Sequence, residues 1–351
     1  MELFNENVRQ LEPYTLKSVP AKVKLNQNES PFDIPSEVKD EILEEFRRSS
    51  WNRYPEVLPF RLIDLLAEHH HYPAKGIIAA NGSNELIYTV MMAAVSGGVK
   101  VLIPAPTFFL YEKAVRVLNG DVIPVMMKND LAFDTEKILS TIERENPRLV
   151  ILVSPNSPTG QSISHEDVEQ ILHKSRGLVL VDEAYIEFSE KRSVFDLLTR
   201  FENLILLRTF SKSFSAAGLR IGYLLTTPSL CAEILKPKIP FTVGILAQIA
   251  VEVLFRHLDL VRERLEFIRG ERKRLYAALQ KFPGVRSFPS DSNFLLFQTE
   301  KTSQEIFDGL LKRGVLVRDV SSYPMLDRML RVNAGTTEED EAFLGALKSL
   351  V

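Results

Sequence analysis

The chain has 351 residues, 45% of them hydrophobic and 25% charged, with a formal net charge of −3. That length exceeds what a single core usually fills, so two domains are expected, and the composition is that of a soluble globular protein. No basic excess is available to track the phosphates of a nucleic acid or a membrane surface, and no apolar run approaches the roughly 20 residues that cross a bilayer.

The opening residues, Met1 to Glu6, lack the apolar core of a signal peptide. Cys231 is the single cysteine; it excludes an internal disulfide framework, suits a reducing cytoplasm and reads as packing. Residues 1–31 show weak periodicity and read as an arm lying on another surface, a partner subunit among the candidates. His69, His70 and His71 are consecutive. On a helix their rings point about 100° apart, so they read as a solvated helix end, and no metal is expected.

Farther along, short apolar strands alternate with amphipathic helices, the pattern of an α/β domain around a mostly parallel sheet. Strands are expected at 101–104, 122–125, 149–154, 178–182, 204–208 and 221–225, apolar enough to be covered on both faces. Helices are expected at 84–96, 111–119 and 165–175, the last preceded by a Ser164-x-x-Asp167 capping pattern. After Gly244 one long amphipathic helical stretch runs to about residue 281. Strands at 294–297, 315–318 and 330–332 and helices at 303–313 and 338–350 then read as a smaller α+β domain. The expected division is an arm at 1–25, a large domain at 49–264, and a small domain from 26–48 and 265–351.

The stretch around Lys212 organises the chemistry. The apolar run Leu204 to Leu207 empties into Thr209-Phe210-Ser211-Lys212-Ser213-Phe214, with Gly218-Leu219-Arg220-Ile221-Gly222 close behind. Hydroxyls at Thr209 and Ser211 with the Arg220 guanidinium suit a phosphate dianion. A lysine at the lip of such a pocket suits Schiff-base chemistry with a phosphorylated aldehyde, although a lone loop lysine is more often a solvated charge. The pattern Ser-Lys-x-Phe-(x)3-Gly-Leu-Arg-x-Gly resembles the lysine segment of the aspartate-aminotransferase superfamily, the fold type I enzymes that use pyridoxal 5′-phosphate (PLP). That resemblance implies a seven-stranded type of large-domain sheet flanked by helices. It also gives Lys212 two tasks: holding the cofactor aldehyde, then moving a proton as general base and acid.

Other segments were weighed against that resemblance. Asn81-Gly82-Ser83-Asn84-Glu85 stands where a strand gives way to a helix, a place that binds anions but is often only a cap; the resemblance assigns Ser83 and Asn84 to the cofactor phosphate. It likewise implies a ring at Phe108 stacked on the cofactor, and Asn156, in Ser154-Pro155-Asn156-Ser157-Pro158-Thr159-Gly160, bonded to the cofactor's phenolic oxygen. Asp182 ends an apolar strand, where a carboxylate is costly to bury unless a cation meets it. The ring nitrogen's proton is the cation implied here, with Tyr185 donating beside Asn156. Tyr54, in Arg53-Tyr54-Pro55-Glu56, is implied to reach the PLP phosphate of a neighbouring subunit, which makes a homodimer with shared sites.

Within the superfamily, Leu11-Glu12-Pro13-Tyr14, Asn26-Gln27-Asn28-Glu29-Ser30-Pro31 and the segments around Arg318, Tyr323 and Arg331 resemble the histidinol-phosphate aminotransferases. The resemblance implies transfer of an amino group between histidinol phosphate and 2-oxoglutarate in histidine biosynthesis. Arg318 and Arg331 would clamp phosphate or carboxylate, with Tyr14 and Asn156 also on the substrate. Two departures concern the arm: the family's Pro-Gly after its Leu-x-Pro-Tyr is absent, and Gln27 replaces a small residue. A threonine-phosphate decarboxylase, an aromatic aminotransferase and a PLP-binding regulatory domain are the alternatives. A nicotinamide-binding domain lacks its Gly-x-Gly-x-x-Gly.

Overall fold

The computed structural model describes residues 3–13 and 19–351. In chain order, a two-residue strand, β1 (Val23–Lys24), precedes the strands of the larger sheet: β2 (Ile77–Ala80), β3 (Lys100–Ala105), β4 (Asp121–Met126), β5 (Leu149–Val153), β6 (Leu178–Asp182), β7 (Leu204–Thr209) and β8 (Gly222–Thr226). Their spatial order is β2-β8-β7-β6-β5-β3-β4. Only β8 runs against its neighbours; the rest pair in parallel.

Successive side chains on these strands go to opposite faces. Leu102, Val150, Leu152, Val181 and Leu206 pack in one core cluster with the helices Phe60–His70, Thr135–Glu145 and His165–Lys174. Val101, Leu149, Ile151, Leu180 and Ile205 pack in another with the helices Gly82–Ala94, Leu110–Val117 and Pro228–Leu235. Two covered faces account for the continuous apolar runs. Ser164 caps the helix His165–Lys174 as its spacing suggests, its Oγ accepting from the Asp167 amide at 3.0 Å.

Beyond the helices Ile245–Arg256 and Leu258–Leu279 lie β9 (Val285–Ser287), β10 (Phe294–Thr299), β11 (Val315–Leu316), β12 (Arg318–Asp319) and β13 (Met329–Asn333). An antiparallel sheet, β12-β13-β10-β9, carries the small domain, and β11 pairs in parallel with β1.

Four expectations need correction. The stretch after Gly244 is two helices, broken where His257 takes φ −114° and ψ 35°. The strand expected at 315–318 changes partner within itself: Val315 and Leu316 pair with β1, whereas Arg318 pairs with Arg331. The 26–48 segment does not join the small domain as a unit. Val23 and Leu25 enter the small-domain core, but Ile34, Val38 and Ile42, on and before the helix Ser36–Arg48, pack against the large sheet's helices. His70 is not a solvated helix end. It is half-buried, its Nε2 lies 3.0 Å from the Tyr223 hydroxyl, and burial pushes its imidazolium down to about 3.

The start of the arm, around Asn7 and Glu12, lies on this chain's own large domain. Asn7 Nδ2 donates to the carbonyls of Arg116 (3.0 Å) and Val117 (2.6 Å) at the C-terminal end of the helix Leu110–Val117. Lys113 Nζ donates to the Glu12 carbonyl at 2.9 Å.

Candidate active site

Parallel strands deliver their C-terminal ends to one edge of a sheet, where α/β proteins bind ligands. Here β5, β6 and β7 end at Val153, Asp182 and Thr209, all on the wall of a cavity of about 420 Å³. The small domain closes the opposite wall with Arg318, Tyr323 and Arg331.

Asp182 is 4% exposed. Its Oδ2 accepts from the Tyr111 hydroxyl at 2.7 Å and its Oδ1 from the Ala184 amide at 2.9 Å. Burial pushes its carboxyl up to about 6 despite those two donors, with the neighbouring Glu183 charge adding to the rise. Glu183 takes the other direction from the strand end. It pairs with Arg208 at 2.7 Å and accepts from Ser193 Oγ and the Val194 amide. Only the first acid of the Asp-Glu pair therefore faces the cavity.

Lys212 Nζ donates to the Gln27 carbonyl at 2.9 Å and stands 5.9 Å from the centre of the Tyr185 ring. Burial holds its ammonium below the ordinary lysine range, with the positive charges of Arg331 and Arg220 acting in the same direction and Tyr185 opposing. Asn28 Nδ2 donates to the Tyr185 hydroxyl at 2.9 Å, so that hydroxyl keeps its own proton for the cavity it lines.

One end of the cavity is built for an anion. Ser83 and Asn84 sit in the first turn of the helix Gly82–Ala94, where backbone N–H groups lack intrahelical partners. Thr209, Ser211 and Arg220 face them, and Arg220 Nη1 donates to Ser211 Oγ at 3.2 Å. Two glycines permit this approach. At Gly82, with φ +77°, a Cβ would stand 2.7 Å from Arg220 Nη2, and at Gly222 it would stand 2.4 Å from the Ser83 nitrogen.

At the other end, Arg318 and Arg331 are cross-strand partners. Arg331 donates to Ser157 Oγ and to the Asn26 carbonyl, each at 3.1 Å. The Arg318 side chain has no hydrogen bond or ion pair among the described residues and lines both this cavity and an adjoining cleft of about 360 Å³. Phe108 stands on the wall between the two spaces, edge-on to Phe109 with ring centres 5.1 Å apart.

Two expected residues, Asn156 and Tyr54, are not on this wall. Asn156 is fully buried behind it: Oδ1 accepts from Thr107 Oγ1 at 2.6 Å, and Nδ2 donates to the Pro106 carbonyl and to Thr159 Oγ1. The two prolines and Gly160 fold the loop onto its own amide, and Ser157 is the residue of the motif that reaches the cavity. Tyr54 is 84% exposed, beside Phe241 with ring centres 5.1 Å apart. Tyr14 lies outside the described residues. Sequence reasoning passed over Asn28, Lys113 and Tyr111, all of which the fold brings to the cavity or to Asp182. Tyr111 looked like the opening of an amphipathic helix, and its partner is 71 positions away.

The donor set fits a phosphorylated pyridine aldehyde. A cradle that a Cβ would fill suits its phosphate, and a buried acid without a cation suits its ring nitrogen. Asn26 Oδ1 and Asn28 Oδ1, on residues of the same wall, are buried with no hydrogen-bond partner among the described residues. Among the described residues no group of acids, histidines and cysteines is placed to hold a metal, and no helix is long and apolar enough to cross a membrane.

Residues 20–347 match the family model of class I and II aminotransferases. The chain is 46% identical over 348 residues to the histidinol-phosphate aminotransferase of Chlorobaculum parvum, covering 99% of this chain and 98% of that one. The crystal structure of histidinol-phosphate aminotransferase from Sinorhizobium meliloti, in complex with PLP, superimposes with a TM-score of 0.90 at 24% identity, covering 100% of this chain and 98% of that one. L-Threonine-O-3-phosphate decarboxylase from Porphyromonas gingivalis does so at 0.83 and 21%, covering 93% and 98%. Fold alone therefore does not separate transfer from decarboxylation.

Proposed function

The chain belongs to the class I and II aminotransferases, and from that premise we propose that it moves an amino group between histidinol phosphate and 2-oxoglutarate, with PLP as its cofactor. The observation that carries this reading is a single cavity with an anion site at each end and Lys212 and Asp182 on its wall between them. When bound, PLP supplies an electron sink for the carbon that bears the amino group.

The chain's own residues do the rest. Ser83, Asn84, Thr209, Ser211 and Arg220 would hold the cofactor phosphate, and Lys212 Nζ would be the amine that holds its aldehyde. Asp182 would accept a hydrogen bond from the protonated ring nitrogen, whose positive charge would offset the cost of burying the carboxylate. Phe108 would cover the ring face, and Tyr185, turned by Asn28, would donate to the phenolic oxygen. Lys212 Nζ, when free of the cofactor, would be the base that takes the proton from the substrate's amino-bearing carbon and the acid that gives it back. Its lowered ammonium range suits both halves of that exchange. Arg318 and Arg331 bind the phosphate of histidinol phosphate and, in the other half-reaction, a carboxylate of glutamate, since both anions match a guanidinium fork.

A homodimer is part of this reading. Trp51, Tyr54, Phe60, Ile239 and Phe241 are large apolar or aromatic groups that stand exposed, and Tyr54 and Phe241 pack against each other. A second copy covering this surface would bring Tyr54 to its partner's phosphate cradle. A buried free thiol at Cys231 agrees with the reducing compartment of a cytoplasmic enzyme.

A second reading has its own observation. The cleft beyond Phe108 is lined by Ile103, Val122, Phe109 and Pro124, apolar enough to favour side activity on aromatic amino acids. The test is amino transfer to 2-oxoglutarate from histidinol phosphate, histidinol, phenylalanine and threonine phosphate in parallel. Histidinol phosphate should be preferred over histidinol by at least tenfold in kcat/KM, the order of one charge-assisted contact. Carbon dioxide released from threonine phosphate without a keto acid would replace this function by the decarboxylase.

A further inference from the structure

Tyr111 is 0% exposed in the helix Leu110–Val117, with Val115, Ile103 and Ile151 in the same apolar cluster. Among the described residues, its hydroxyl has one hydrogen-bond partner, Asp182 Oδ2, at 2.7 Å. The nearest aromatic ring, Phe108, meets it edge-on at 6.4 Å. A buried hydroxyl without a partner is costly, so the tyrosine and the aspartate fix each other's direction.

We propose that Tyr111 is a positioning residue for cofactor chemistry: its hydroxyl holds the Asp182 carboxylate ionised and turned into the cavity, so that the ring nitrogen meets an acceptor. This rests on the assignment of Asp182 to the ring nitrogen. The physical case has two parts. Burial and the adjacent negative charge push the Tyr111 phenol well above its ordinary range, so it remains protonated wherever the protein is folded. A hydrogen bond donated to a carboxylate favours the charged form, and here it works against the burial that drives Asp182 towards neutrality. The Ala184 amide donates to the other oxygen. Two donors on two oxygens leave both with a lone pair free on the cavity side.

The test measures affinity for the cofactor, not turnover. Apoprotein of the unaltered chain, of Tyr111→Phe and of Asp182→Asn would be titrated by calorimetry with PLP and with 1-deazapyridoxal phosphate, in which carbon replaces the ring nitrogen. Tyr111→Phe should weaken PLP about tenfold, the size of one lost charge-assisted hydrogen bond. The deaza compound should bind all three proteins within about twofold, the scatter expected of uncoupled changes, which also shows that each variant is folded. Equal weakening of both compounds by Tyr111→Phe, or no weakening of PLP, would reduce Tyr111 to packing. If Asp182→Asn itself failed to distinguish the two compounds, the ring-nitrogen assignment would fall, and the role of Tyr111 with it.

Discussion

Asp182 and Glu183 are adjacent acids with opposite surroundings. Glu183 is matched by Arg208, Ser193 and a backbone amide, whereas Asp182 has two hydrogen-bond donors but no cation. Its carboxyl is raised in the folded protein from 3.8 to about 6, so the folded state binds the proton more tightly than the unfolded one. The cost of ionising it therefore appears as pH rises from about 4 to 6 and is full at neutral pH, on the order of 3 kcal/mol. Asp182→Asn should accordingly melt higher than the unaltered apoprotein at pH 7, and the advantage should vanish near pH 4. A lower melting temperature for the variant at pH 7 would show that the charge is already compensated. Glu183→Gln should act the other way, because it leaves Arg208 buried without its partner. A loss of about 3 kcal/mol or more is expected in denaturant unfolding, and a loss under 1 kcal/mol would mean that the pair is open to water.

At the scale of elements, the strand ends and one helix start make the site. Apolar runs and small-hydroxyl turns marked β5, β6 and β7 in the sequence, because a strand covered on both faces leaves a continuous signal. The strand β2 was legible only as a strand that gives way to a helix near Asn81, without bounds: its residues are Ile77, Ile78, Ala79 and Ala80, and two alanines carry little strand preference. The loop around Asn156 was legible as a rigid turn, but which of its side chains faces the cavity was not. That depends on a buried amide meeting Thr107, Pro106 and Thr159. The helix start at Gly82 offers a direct check. Gly82→Ala places a methyl against Arg220 in a backbone conformation that alanine resists. PLP affinity should fall by about tenfold or more, while pyridoxal, which lacks the phosphate, should bind as before. Equal losses for both ligands would point to a general collapse of the helix start.

For the whole molecule, the α/β fold around a mostly parallel sheet was legible as pattern, while the placement of the first fifty residues was not. Weak periodicity hid the facts that Leu25 belongs to the small-domain core and Ile42 to the large one. Nor did spacing reveal that Asn7 caps the helix Leu110–Val117, since capping of a helix end by a distant side chain has no local signature. The exposed aromatic surface around Tyr54 predicts the assembly: Phe241→Asp should shift the protein from dimer to monomer in sedimentation velocity and reduce transfer at the same time. A monomeric variant with full activity would mean that each chain completes its own site. The central claim is that the cleft between the domains holds PLP through Lys212. Its most direct test is borohydride reduction of the PLP-treated protein, followed by proteolysis and mass spectrometry of the peptides. The pyridoxyl group should be found on the peptide carrying Lys212 and absent from a Lys212→Ala variant; stoichiometric label on any other lysine, or none at all, would contradict it.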